Sequence, residues 1–181
     1  DTGGPIFGMV SRIFEQKGFD IMNPLLPEIV KKGGIVIILG SGNPICEKQL
    51  KTFASKHKSS AGITIGFDAT LANQIYAASD FFLMPSLFEP CGLGQMIAMR
   101  YGTLPLVRAT GGLKDTVSKK NGVIFTPYTK SAMKKSINQA FSVHTNKKEF
   151  NTRIKKAFAT DFSWDISAKK YITLYTNLSK K

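Results

Sequence analysis

Several shortages bound what this chain can be. It has only two cysteines, two histidines and one tryptophan, and its acids number 12 against 25 lysines and arginines. The cysteines, Cys46 and Cys91, stand far apart and without metal-ligand spacing, and His57 and His144 do not complete a metal site. No disulfide staple is needed, so both thiols read as reduced, as in a cytosol or plastid stroma. No apolar run approaches a membrane span, which excludes a membrane helix. No signal segment is visible, and the chain begins with Asp1 rather than Met, as expected of a piece of a longer protein. Low-complexity blocks and internal repeats are missing too.

What is present is a core-forming composition, 43% hydrophobic, in a 181-residue chain of one-domain size. The net charge of +13 can favour nucleic acid, an anionic membrane or phosphorylated ligands. Much of the excess sits in dispersed pairs such as Lys31-Lys32, Lys119-Lys120, Lys147-Lys148, Lys155-Lys156 and Lys180-Lys181. Such pairs read as solvated helix faces rather than as one patch. No nucleic-acid motif, and no run of aromatics among the basic residues, accompanies them.

Strands and helices alternate. Residues 1–5 are Gly-rich and read as a linker remnant. Strands are expected at Ile6–Val10, 35–39, 63–67, Phe81–Met84, 104–107 and 122–125. The run Ile35-Val36-Ile37-Ile38-Leu39 is apolar on both faces, as in a parallel sheet. Helices are expected over 20–31, 45–57, 71–78 and 113–117, with Pro24 and Pro27 weighing against a regular first half of the first. Residues 129–181 read as C-terminal helices, the last capped by Ser163. The fold class is therefore α/β, a single domain with a doubly wound parallel sheet and extra C-terminal helices.

The most informative stretch is residues 85–95, P-S-L-F-E-P-C-G-L-G-Q, between the strand Phe81-Phe82-Leu83-Met84 and a helical segment. Gly92 and Gly94 permit close approach of the backbone, and the amides opening the helix point toward anions. Glu89 beside them suits a ligand carrying hydroxyls and phosphate. It also suits a solvated loop carboxylate or a helix N-terminal charge. Arg12 and Lys17 flank the loop after the first strand and could neutralise a diphosphate, or be ordinary loop cations. Gly40-Ser41-Gly42 after a strand is half of a dinucleotide fingerprint, lacking its third glycine because position 45 is Ile, and serves equally as a tight turn. Phe67 could stack on a purine or belong to the core. Thr110-Gly111-Gly112 reads as a turn and cap that exposes amides.

The literal residues add a resemblance. Glu89-Pro90-Cys91-Gly92-Leu93, then Arg100-Tyr101-Gly102-Thr103-Leu104-Pro105-Leu106-Val107, then Thr110-Gly111-Gly112-Leu113-Lys114-Asp115-Thr116-Val117, resemble bacterial glycogen synthases and plant starch synthases. These are retaining glucosyltransferases of the two-Rossmann-domain fold. Ser11-Arg12 and Gln16-Lys17-Gly18 match their S-R-(x)4-K-G block. The collinear blocks run from about Phe7 to the last helix.

The resemblance implies a Rossmann-like C-terminal domain that binds ADP-glucose, with no metal or other cofactor. It implies Arg12 and Lys17 on the donor phosphates, Glu89 against the glucose, and the amides of Cys91, Gly92, Leu93 and Gly94 on sugar hydroxyls and phosphate. Phe67 is implied as an adenine platform, Gly40 and Gly42 near base or ribose, and Thr110 and Gly111 along the nucleotide pocket. Cys91 is not a nucleophile in this scheme. Two departures stand out: Leu87 where many relatives have Arg, and Gly94 where others have Thr or Asn.

The acceptor would be an α-1,4-glucan. The family's Lys-x-Gly-Gly-Leu loop and a His come from an N-terminal domain not found in these residues, so the piece is expected to bind nucleotide weakly and not to turn over alone. The competing expectations are another retaining nucleotide-sugar transferase of the same fold, and a non-enzymatic basic domain binding RNA or glycan. Steeply salt-dependent RNA binding indifferent to ADP would favour the last.

Overall fold

A computed structural model describes residues 3–179. Asp1 and Thr2 of the expected linker, and the pair Lys180-Lys181, lie outside the described residues. Gly4 and Pro5 are tied to the sheet: a Cβ on Gly4 would sit 2.0 Å from the Gly33 carbonyl oxygen, and Pro5 accepts from the Ile35 amide at 3.0 Å.

Among the described residues six parallel strands form one sheet: β1 Ile6–Val10, β2 Ile35–Gly40, β3 Ala61–Ile65, β4 Phe81–Met84, β5 Leu104–Arg108 and β6 Val123–Phe125. Their order is β3-β2-β1-β4-β5-β6. The chain thus builds outward from β1 in one direction, then returns to lay β4 on its other side. The expected doubly wound parallel sheet is the one observed.

The apolar runs divide between two faces by the period of two. Phe7, Met9, Phe81 and Leu83 point into the larger core with Met22, Leu25, Ile29, Met133, Ile137 and Phe150. Phe7 and Phe81, on adjacent strands, stack at 5.5 Å. On the other face Phe82 packs on Tyr76 at 4.6 Å, with Ala98 beside them. Gly8 is needed there, since a Cβ would lie 2.1 Å from the Ser79 hydroxyl. The helix that ends near Ser79 can therefore ride close over β1.

The helices are α1 Phe19–Met22, α2 Leu26–Lys31, α3 Pro44–Lys56, α4 Ala69–Ala78, α5 Gly94–Arg100, α6 Gly111–Thr116, α7 Lys130–Thr145, α8 Lys147–Phe158 and α9 Trp164–Leu178. The single helix expected over 20–31 is two helices joined by a 3-10 turn at Asn23–Leu25. Pro24 and Pro27 each remove an amide donor, which accounts for the interruption. The strand expected at 63–67 begins two residues earlier, at Ala61, because Ala61 and Gly62 pair with Val36 and Ile37. Tertiary pairing overrides weak β-propensity here. Ser163 stands at the N-cap of α9 but makes no side-chain capping bond. Among the described residues no helix is long and apolar enough to cross a membrane.

Candidate functional site

β1 and β4 lie side by side although β2 and β3 separate them in sequence. The crevice between the loops leaving them is where the strand order reverses, the usual ligand position of an open α/β sheet. A cavity of about 180 Å³ opens there, lined by Arg12, Lys17, Ser86, Glu89, Gly92 and Gly94. A second hollow of about 250 Å³ shares Val10, Ser11 and Arg12 with it and is bounded by Gly40, Ser41, Phe67 and Asp68. Arg12 thus borders both.

At the centre, Lys17 Nζ donates to Glu89 Oε2 at 2.6 Å, and the Ser86 hydroxyl donates to the same oxygen at 3.2 Å. Glu89 is 7% exposed, which excludes the solvated-loop reading. The two loops are clasped: the Leu87 amide donates to the Gln16 carbonyl at 2.9 Å, and Gln16 Nε2 donates to the Phe88 carbonyl at 3.0 Å. Gly18, at φ +82°, lets the first loop close, since a Cβ would meet the Pro85 carbonyl oxygen at 2.2 Å.

Among the described residues no acceptor takes the amides of Cys91, Gly92, Leu93 or Gly94. They form a row of unused donors beside Glu89. Gln95 is buried beneath them and holds the Cys91 and Gly92 carbonyls through Nε2, at 3.2 and 2.9 Å. The Cys91 thiol is exposed and free, and Cys46 is free and partly buried, its pKa pushed up by burial.

Phe67 is 94% exposed, so it is not a core residue. Its ring stands bare at the mouth of the second hollow. Asp68 beside it accepts from the Leu71 amide at 2.9 Å and caps α4. Gly40 and Gly42 serve close approach of the β1 and β2 loops. A Cβ on Gly40 would lie 1.8 Å from the Ser11 carbonyl oxygen, and one on Gly42 2.3 Å from that of Ile13. The Gly42 amide is already committed to Glu47 Oε1 at 2.7 Å.

Thr110 and Gly111 line neither hollow; they stand behind Glu89. The Gly112 amide donates to the Glu89 and Pro90 carbonyls, both at 3.1 Å, and a Cβ on Gly111 would lie 1.9 Å from the Glu89 carbonyl oxygen. This turn buttresses the Glu89 loop from outside.

Two contributors escape a reading by motif. Ser86 was visible in P-S-L-F-E-P, three residues before the acid it contacts. Arg108 ends β5 and holds the Glu89 loop by its backbone: Nη1 donates to the Leu87 carbonyl at 2.6 Å and to that of Ser86 at 3.4 Å. Its Nε donates to the Thr126 carbonyl at 3.2 Å, and its guanidinium lies over the Tyr128 ring at 5.4 Å. Tyr128 in turn donates to Asp20. Burial and that carboxylate push the phenol's pKa up. A strand-terminal arginine was the only available signal. Among the described residues no group of three His, Cys, Asp or Glu side chains is placed to hold a metal.

Residues 1–157 match the family model for glycosyl transferases group 1. The chain belongs to this family. It is 46% identical over 178 residues to the glycogen synthase of Geotalea daltonii, covering 94% of this chain and 37% of that protein. It is 45% identical to the glycogen synthase of Alkaliphilus metalliredigens, covering 98% of this chain and 39% of that protein. The catalytic domain of starch synthase IV from Arabidopsis thaliana, bound to ADP and acarbose, superposes with a TM-score of 0.86 at 32% identity, over 100% of this chain and 40% of that one. A sucrose-phosphate synthase from Thermosynechococcus elongatus, at TM-score 0.74 and 21% identity, shares the fold. The group 1 chain described here spans about two-fifths of the length of these glycogen synthases.

Proposed function

We propose that this chain is the donor-binding half of a glycogen or starch synthase, which transfers glucose from ADP-glucose to the non-reducing end of an α-1,4-glucan with retention of anomeric configuration. The observation that carries this reading is the convergence of Arg12, Lys17 and Glu89 on one crevice at the β1/β4 switch point. Arg12 and Lys17 receive the diphosphate, the leaving group on which negative charge develops as its bond to glucose breaks. Arg12 offers a fork for paired phosphate oxygens, and Lys17 a point charge. Lys17 exchanges part of its contact with Glu89 for phosphate when donor binds. Glu89, held by Ser86, orients the glucose and favours positive charge at the anomeric carbon.

The free amides of Cys91, Gly92, Leu93 and Gly94 take sugar hydroxyls and phosphate. Phe67 stacks on adenine in the second hollow, with Gly40 and Gly42 shaping the wall beside base and ribose. Thr110 and Gly111 act from behind, through the Glu89 backbone. The glucan and the remaining catalytic groups belong to a partner domain of the longer protein. The chain alone binds nucleotide without turnover; steady glucosyl transfer by the purified chain would contradict this. Two free thiols fit a reducing compartment, a cytosol or plastid stroma.

Titration with ADP, UDP and ADP-glucose tests the reading. Arg12→Ala and Lys17→Ala should weaken all three, and Glu89→Ala should weaken mainly the sugar nucleotide. Equal affinity of the parent and the two cation variants for ADP would overturn it. A preference for UDP over ADP would reassign the donor within the same fold.

A further inference from the structure

The end of the molecule opposite the crevice carries a different charge pattern. Residues 118–122 lead into β6, and the chain passes from α7 to α8 at Asn146. The strands run parallel, so the turn before β6 lies where they begin, and the crevice lies where they end. Between that turn and α8 opens a hollow of about 410 Å³, lined by Lys119, Lys120, Lys148, Glu149, Arg153 and Lys156. Its size falls within the rough 300–1,000 Å³ range of ligand clefts.

The hollow stands on fixed backbone. Asn121, 8% exposed, holds the turn that presents Lys119 and Lys120. Its Oδ1 accepts from the Ser118 amide at 2.7 Å, and its Nδ2 donates to the Thr116 carbonyl at 3.2 Å. Arg153 Nη1 donates to the Gly122 carbonyl at 2.8 Å and so staples α8 to the same turn. Lys148, Thr152 and Lys156 recur every four residues and share one face of α8. The two lysines are about 12 Å apart along the helix axis.

The charges around the hollow do not cancel. Glu149 is the one acid of the lining, and Arg153 takes its Oε1 through Nε at 3.1 Å and Nη2 at 2.5 Å. Among the described residues Lys119, Lys120, Lys148 and Lys156 enter no ion pair. α8 also opens on Lys147-Lys148, against a dipole that favours acids at this end. Lys147 turns to His144 at 3.3 Å and to the Phe150 ring, and Lys148 faces the hollow. Like charges gathered in one place repel, and a bound polyanion removes that cost.

The lining also selects among polyanions. It includes no aromatic side chain on which a base could stack, which weighs against single-stranded nucleic acid. Lysines are point charges on flexible stems and accept phosphates in varied arrangements. Their spread over two turns of α8 and the neighbouring turn calls for several phosphates on one molecule.

We infer that this hollow binds a small polyphosphorylated ligand, at a site separate from the donor crevice. The inference stands independently of the donor reading.

The experiment is calorimetric titration of the 181-residue chain with inorganic tripolyphosphate and, separately, with inositol hexakisphosphate. Both are run in an Arg12→Ala, Lys17→Ala background, so that the crevice cannot take the phosphates. Lys148→Gln with Lys156→Gln should weaken tripolyphosphate about tenfold, and Lys119→Gln with Lys120→Gln should do the same. Higher ionic strength should weaken it further. Tighter binding of either probe, lost with these lysines, supports the site and tells a linear phosphate chain from phosphates on a carbon ring. In the parent chain the same lysine pairs should keep ADP affinity within about twofold, with unchanged circular dichroism. Lys169→Gln with Lys170→Gln removes equal charge from α9 and should leave tripolyphosphate affinity unchanged. If that control weakens binding as much, net charge alone attracts the probe and the site falls. Absence of binding by both probes at millimolar concentration, or indifference to the lysine pairs, would also overturn it. A single-stranded RNA oligonucleotide that displaces tripolyphosphate and binds more tightly at the same lysines would overturn the small-ligand assignment. If ADP fails to bind while the lysine dependence persists, the donor reading falls and this site stands.

Discussion

In the crevice Lys17 meets Glu89 at 2.6 Å, and in the helical layer Arg153 meets Glu149 at 2.5 Å. The contacts are alike in length and chemistry, and their surroundings differ. Arg153 and Glu149 are one helical turn apart on α8. Arg153 uses Nε and one Nη on Glu149 and the other Nη on the Gly122 carbonyl at 2.8 Å. All its nitrogens are engaged within the fold, where they tie α8 to the start of β6.

Lys17 and Glu89 are 72 residues apart and meet from two loops. Both side-chain contacts of Glu89 go to Oε2, and Lys17 has further donors to give. Beside them stand the unused amides of residues 91–94. Hydrogen-bonding capacity that the fold does not consume separates the crevice from the helical layer.

This contrast can be tested at several strengths. The largest effect is expected in the helical layer. Phe150 is 7% exposed, packs on Phe81 at 5.8 Å and meets His144 edge-on. Phe150→Ala should lower unfolding free energy by about 3–5 kcal/mol in denaturant titration.

Next, the double replacement Lys17→Met with Glu89→Gln should leave stability within about 1 kcal/mol, because a mostly buried ion pair contributes little net. The same protein should bind ADP about 10–100-fold more weakly, as charge-assisted contacts to phosphate are lost. Comparable losses of stability and affinity would mean that the crevice pair is structural, like its counterpart.

Smaller still, Arg153→Ala should cost about 1–2 kcal/mol by leaving the Gly122 carbonyl without its donor, with ADP affinity unchanged. Calorimetry on the same sample checks both halves.

The smallest effect concerns His144, also in the helical layer. Burial pushes its pKa below the ordinary 6.5, against the pull of Asp80 and with the repulsion of Lys147. With the folded value below the unfolded one, the unfolded chain holds the extra proton between them. The contribution to stability is full above about 6.5 and is lost as pH falls through the folded value. Melting temperatures should therefore fall slightly on acidification below that point, and His144→Gln should flatten the decline.

Much of the architecture could be read from short-range pattern. The runs at Ile6–Val10 and Phe81–Met84 coincide with β1 and β4, because a doubly buried strand leaves an unbroken apolar stretch. Arg12, Lys17 and Glu89, which line one crevice, could be singled out beforehand as charged residues on loops after strands, standing in compact blocks. The start of β3 was not, because an Ala-Gly pair becomes a strand only through its neighbour. Neither was Arg108, whose role is a grip on backbone carbonyls of another loop.

Glycine roles needed the fold as well. Gly40, Gly42 and Gly111 resemble phosphate-cradling glycines in sequence, yet each faces a carbonyl oxygen of a neighbouring loop within 2.3 Å of where a Cβ would stand.

By itself the order of residues determined the α/β class, the strand runs and which side chains could carry charge to a ligand, because these follow from local periodicity and residue chemistry. Only the tertiary structure decided that β4 returns beside β1, that Lys17 therefore touches Glu89, and that Arg108 grips the Glu89 loop. Those facts depend on pairings between segments distant in the chain, and the free energy of such contacts is written in no single stretch of it.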